Sequence, residues 1–177
     1  PDEVSSSADA LRGGTPDSSM ALPQVFMLRV KFDTGMQFVC TATLITSRTL
    51  LTAAHCFDPA AAPSGTTALT DVFVQNATIA PASTSPSWVR IDPAQTRMHP
   101  QWRASDRLRF DSAAALLPAP SALTPSPHLS RTLVAADVGQ NLTVAGFGIT
   151  AAGQTDFGTR RVATLPLRAF TSKHVQL

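Results

Sequence analysis

Phe38-Val39-Cys40-Thr41-Ala42-Thr43-Leu44-Ile45-Thr46, followed by Thr49-Leu50-Leu51-Thr52-Ala53-Ala54-His55-Cys56, decides how this chain is read. Just upstream, residues 25–32 (Val-Phe-Met-Leu-Arg-Val-Lys-Phe) have the composition of a strand, and Asp33-Thr34-Gly35 is a turn signal. Residues 36–45 then form a second strand, so the pair predicts a β-hairpin. Residues 49–52 are short and apolar, and they deliver the chain to Ala53-Ala54-His55-Cys56. A histidine that moves protons needs a fixed ring orientation, and the two small alanines let the turn carrying it pack closely. Other readings of the same residues exist. A histidine in an apolar stretch is often a satisfied core residue. Cys40, His55, Cys56 and His99 together also raise zinc, but zinc sites show paired ligands at CxxC or HxxxH spacing. The sequence has neither, so no metal and no cofactor is expected.

The composition limits the function classes. With 177 residues, 44% hydrophobic and 15% charged, the chain suits one or two folded domains and not a disordered tail. A net charge of +2, with Arg103, Arg107 and Arg109 as the only cluster, offers no basic stripe for nucleic acid. No stretch has the length of a membrane-spanning helix, and residues 1–10 lack the basic and apolar regions of a signal peptide. Neither nucleic acid nor membrane is therefore expected as a partner. Cys40 and Cys56 lie too far apart for a CxxC motif. As a disulfide they would close a loop of about 15 residues, contributing about 3 kcal/mol. Two buried thiols are the alternative, and length and composition do not choose between them.

Along the chain, short apolar runs alternate with turn-rich stretches. Residues 1–24 read as an extended or loose N-terminal segment and residues 58–70 as a surface loop. Residues 71–79 and 88–91 read as strands separated by a Pro/Ser loop, and residues 113–117 as a short apolar strand. Residues 118–130 hold four prolines and are the best linker. Residues 141–147 and 159–170 are strand-like. No segment sustains a 3.6-residue apolar period, so the fold class is all-β. The tripeptides at Asn76 and Asn141 match a glycosylation sequon, a pattern too short to carry weight.

Four segments, in order, resemble the trypsin/chymotrypsin family of serine proteases. The first and most specific is the opening one, where a strand bearing a cysteine leads through a hairpin into Leu51-Thr52-Ala53-Ala54-His55-Cys56. The resemblance implies that His55 is catalytic and that a Cys40–Cys56 disulfide fixes the backbone carrying its imidazole. The second is Met98-His99-Pro100-Gln101-Trp102, followed by Phe110-Asp111-Ser112-Ala113-Ala114-Ala115-Leu116-Leu117-Pro118. It is similar to the family's His-Pro-x-aromatic segment and its Asp-Ile-Ala-Leu-Leu block. Asp111 falls on the catalytic carboxylate, with Ser112 in place of the usual isoleucine. Asp106 is the runner-up, but Arg103 and Arg107 beside it suit a solvated loop. His99 is expected on a surface loop near the substrate cleft. The third, Gly146-Phe147-Gly148-Ile149-Thr150, resembles the Gly-Trp-Gly-x-Thr segment that opens the second barrel, with Phe147 for tryptophan. The fourth, Leu11-Arg12-Gly13-Gly14, resembles the Ile-Val-Gly-Gly activation site and makes Leu11 a possible activation N-terminus, although Arg12 departs from the pattern.

The resemblance therefore implies a chymotrypsin-like double antiparallel β-barrel. Residues 1–14 would form the activation segment and residues 15–120 a complete six-stranded first barrel with His55 and Asp111. Residues 121–177 would be the linker and the opening strands of a second barrel. No Gly-Asp-Ser-Gly-Gly string occurs, nor a Gly-x-Ser-x-Gly elbow. The expected function is a secreted or periplasmic serine endopeptidase acting on proteins or peptides. His55 would be its general base and Asp111 its orienting carboxylate. The nucleophile would come from a C-terminal serine-bearing chain of the same precursor. The alternative is an inactive, protease-like binding or regulatory module.

Overall fold

The computed structural model describes residues 14–17, 21–62, 64–77, 87–106, 109–127, 131–151, 156–171 and 175–176. Leu11, the expected activation N-terminus, lies outside them. The described residues are all-β, with four short 3-10 turns. In chain order the strands are β1 (Thr15–Pro16), β2 (Val25–Phe32), β3 (Gln37–Leu44), β4 (Thr49–Thr52), β5 (Leu69–Gln75) and β6 (Val89–Ile91). They continue as β7 (Thr96–Met98), β8 (Ala113–Leu116), β9 (Asn141–Gly146), β10 (Arg161–Pro166), β11 (Ala169–Phe170) and β12 (Val175–Gln176). Among the described residues no helix is long and apolar enough to cross a membrane.

The main sheet is antiparallel, in the order β6-β5-β2-β3-β4-β8-β7. Its end strands are neighbours in sequence, which forces curvature. Laid flat, seven strands at the usual spacing would separate β6 from β7 by about 29 Å. The connection from Ile91 to Thr96 spans at most about 17 Å. A capped turn makes that connection: the Asp92 carboxylate accepts from Ala94 N–H at 2.9 Å, and Pro93–Gln95 forms a 3-10 turn. The sequence reading expected six strands in this unit. The structure adds β7, whose Thr-Arg-Met residues carry no apolar alternation because the strand lies at the sheet's end with its side chains largely outward.

Alternation with period two selects the core. Phe26, Leu28, Val30 and Phe32 of β2 point inward with Ala42 and Leu44, Leu50, Val72 and Val74, Ile91, Ala113 and Ala115. Each large side chain fully removed from water contributes about 1.5–3 kcal/mol. The unbroken apolar start of β2 has a second cause. Val25 and Met27, on its other face, pack against fully buried Phe147 from the second sheet. β2 is thus covered on both faces where the two sheets meet, as continuous apolar strands are.

The second sheet has the order β1-β10-β9. Within the segment read as extended or loose, Thr15 pairs with Val162 and Pro16 with Arg161, so these two residues are extended and strapped to the far part of the chain. The strand expected over 159–170 breaks after Pro166. There Leu167 N–H donates to Gln140 O at 2.9 Å and Arg168 N–H to Gln176 O at 2.9 Å, drawing Ala169–Phe170 into a separate pair with β12. The described part of the proline-rich linker is also tied down. Ser121 N–H donates to Ser47 O at 2.7 Å, Ser126 N–H to Leu44 O at 2.7 Å, and the Arg48 guanidinium holds Leu117 O at 2.9 and 3.1 Å.

Candidate active site

The chain leaves β4 and enters a single 3-10 turn, Ala54–Cys56, with Ala53 extended before it. Ala54, Cys56 and Phe57 are buried, so the turn is pinned by its own small and apolar residues. Cys56 is bonded to Cys40 on β3, with Cα atoms 6.5 Å apart, so the disulfide implied by the resemblance is present. Cys40, His55 and Cys56 place their ligand atoms within 4.8 Å of one another. Both sulfurs are joined in the disulfide, so neither is a thiolate. Thr52, at the end of β4, donates its hydroxyl to Thr41 O at 2.8 Å and ties that strand to β3 beside the disulfide.

His55 and Asp111 meet although 56 residues separate them. Asp111 precedes β8, and Thr52↔Ala113 pairing of β4 with β8 brings the ends of the two strands together. The carboxylate makes two bonds to one residue: Oδ1 accepts from the His55 backbone N–H at 2.9 Å and Oδ2 bonds Nδ1 at 2.7 Å. Ionised, a carboxylate only accepts, so the proton lies on Nδ1 and the lone pair on Nε2. Because one bond fixes the backbone and the other the ring, the imidazole cannot swing without losing the pair. The His55 side chain is 36% exposed and that of Asp111 25%. Asp111 is therefore half-buried here. Asp106, the runner-up, lies on an exposed turn paired with Arg109 at 3.4 Å.

Several contributors escaped the sequence reading. His99 lies half-buried in the loop that follows β7, and what the sequence did not show is its ring stack on Phe110, with centroids 4.8 Å apart and planes 12° from parallel. Trp102 is buried and its indole N–H donates to Asp58 at 2.7 Å, just beyond the His55 turn. Thr41 Oγ1 accepts from Phe147 N–H at 3.0 Å, linking the second sheet to the strand that carries Cys40. Gly146 beside it leaves room for this approach, since a Cβ there would lie 3.3 Å from Thr41 Oγ1. Arg160, fully buried, pairs with Asp17 at 2.8 Å and donates to Leu22 O at 2.9 Å, joining the N-terminal segment to the second sheet. A lone buried arginine has no periodicity or motif to announce it.

With this geometry in hand, comparison with known proteins agrees. The trypsin family matches over residues 12–173, and the chain belongs to that family. Among solved structures, that of GrC is similar at TM-score 0.68 and 18% identity, over 90% of this chain and 66% of that one. The structure of HL collagenase is similar at TM-score 0.63 and 17% identity, over 90% of this chain and 64% of that one. At these identities the likeness is one of fold, and the chain spans about two thirds of either length. No curated protein matches the chain.

Proposed function

We propose that residues 1–177 supply the proton-transfer half of a secreted serine endopeptidase. His55 takes the proton of a serine hydroxyl through Nε2 and returns it to the leaving amine. Asp111 holds the tautomer and balances the imidazolium formed in between. The observation that carries the reading is the two-point hold of Asp111 on His55, through Nδ1 at 2.7 Å and the backbone N–H at 2.9 Å. Family membership supports serine-protease chemistry in general. The nucleophile and the oxyanion donors belong to a serine-bearing segment outside these residues. That is supported by the lack of any Gly-Asp-Ser-Gly-Gly string and by the part of the solved structures that the chain does not span. Substrates are proteins or peptides. The Cys40–Cys56 disulfide supports an oxidising compartment, secreted or periplasmic.

A fluorophosphonate probe on the intact protein tests this. The probe should attach to a peptide beyond Leu177 and leave residues 1–177 unlabelled, and His55→Ala should abolish the labelling. A label on residues 1–177 would overturn the assignment of the serine. An intact protein that takes no label at all would mark a protease-like binding module instead.

A further inference from the structure

We propose that His99 is a positioning residue for Asp111 and acts through its stack on Phe110. The proposal rests on the reading of His55 and Asp111 as the proton-transfer pair. Phe110 immediately precedes Asp111 and has φ of 55°, the only positive value at a non-glycine among the described residues. An aromatic residue rarely adopts this left-handed backbone, and when it does the surroundings must hold it there. Burial does not hold it, since Phe110 is 40% exposed. What holds it is the flat stack on the His99 ring at 4.8 Å.

The consequence falls on the carboxylate. Ser112 N–H donates to Phe110 O at 2.8 Å, closing a three-residue turn with Asp111 at its apex. Ser112 O in turn accepts from His99 N–H at 2.8 Å. His99 thus grips both sides of Asp111, by its ring before and by its backbone after. Its own ring is held, because Nδ1 accepts from Gln101 N–H at 3.2 Å. The same short turn reaches the other half of the pair, for Trp102 N–H donates to His99 O at 2.9 Å and the Trp102 indole bonds Asp58, two residues beyond Cys56. Residues 99–102 therefore form a bracket between the segments bearing His55 and Asp111.

The test uses the intact protease with a peptide ester substrate, measuring kcat, KM and the low-field proton resonance of His55 Nδ1. Five variants are needed: His99→Ala, His99→Phe, Phe110→Gly, Asp111→Asn and the double variant His99→Ala with Phe110→Gly. Glycine takes a positive φ without strain, so Phe110→Gly keeps the turn and removes only the ring. His99→Ala and Phe110→Gly should each lower kcat by about 10- to 100-fold, the effect of a misplaced group. KM should stay within about twofold, as expected when only the transition state is affected. Both should shift or broaden the Nδ1 resonance. Their combination should be no worse than either alone, because the two remove one contact. His99→Phe, which keeps a flat ring, should return kcat to within about threefold of the parent. The proposal is overturned if His99→Ala and Phe110→Gly keep kcat and the resonance while Asp111→Asn abolishes activity. It is equally overturned if His99→Phe is as impaired as His99→Ala. If Asp111→Asn itself leaves activity intact, the His55–Asp111 reading fails first, and that arm shows it separately.

Discussion

The two sheets of this chain solve the problem of burial differently. The seven-stranded sheet curls around its own core, where Leu28, Val30, Phe32, Leu44, Leu50, Val72 and Val74 are fully buried. The three-stranded sheet has no such interior: β9 and β10 are exposed or half-buried along their lengths, and Leu142 stands in solvent. It is held against the first sheet by the Phe147 ring packed on β2, by the Phe147 N–H donated to Thr41 Oγ1 and by Arg160 donating to Val25 O. The site follows this division, because Cys40 lies on β3, His55 and Cys56 in the turn after β4, and Asp111 just before β8, all strands of the self-contained sheet. A rigid element with its own core can hold a pair of side chains in fixed geometry.

The largest effect should come from Asp111→Asn. Its single oxygen must take the His55 backbone N–H, which cannot give up its proton, so the amide NH2 is left facing Nδ1. That forces the proton onto Nε2 and removes the base, lowering kcat by about 10⁴-fold. Full activity in this variant, measured by ester hydrolysis, would break the claim that the first sheet carries the chemistry. Next, the burial contrast itself can be measured by denaturant unfolding. Phe32→Ala should destabilise by about 3–5 kcal/mol, whereas Leu142→Ala should stay within about 0.5 kcal/mol. Equal losses at the two sites would dissolve the distinction.

The tie between the residue after β1 and the residue before β10 can be probed through its ion pair. Arg160→Ala leaves Asp17 buried without its partner and should cost about 3–5 kcal/mol. Arg160→Met combined with Asp17→Asn should recover much of that loss, because no charge is then left buried. The smallest effect concerns the turn leading into β9. There the Arg131 guanidinium, and then the Val134 backbone N–H, hold the Asp137 carboxyl down to about 2. A carboxyl lowered on folding supports its turn above its ordinary value of 3.8 and loses that support as pH falls through about 2. Amide exchange at Val134 should therefore quicken between those limits, while the core of the first sheet stays protected.

Much of this was legible in the residues. The strand composition of 25–32 and 36–45, cut by Asp33-Thr34-Gly35, is a local signal, and the hairpin formed with Lys31 opposite Gln37. The block ending in His55 and Cys56 carried the family resemblance, which implied the disulfide that the structure contains. Asp111 was preferred to Asp106 because it borders an apolar strand, and it is the one bonded to His55. What stayed hidden depends on partners far apart in sequence. Strand β1 exists only because β10 is there to receive it, and β7 only because β8 supplies its ladder.

Sequence alone thus determined the all-β class, the hairpin, the histidine turn and the residues offered for chemistry. The class and the hairpin are set by pattern and spacing within about ten residues, and the residues offered for chemistry are what the family resemblance implied. Only the tertiary structure decided which carboxyl oxygen meets which nitrogen of His55. The same holds for the His99 stack that props the backbone before Asp111, and for Asp17, which finds Arg160 across 143 residues. The reason is physical. Such contacts are fixed by where the sheet's curl brings strand ends together, and no local preference of Phe110, His99 or Arg160 encodes that closure.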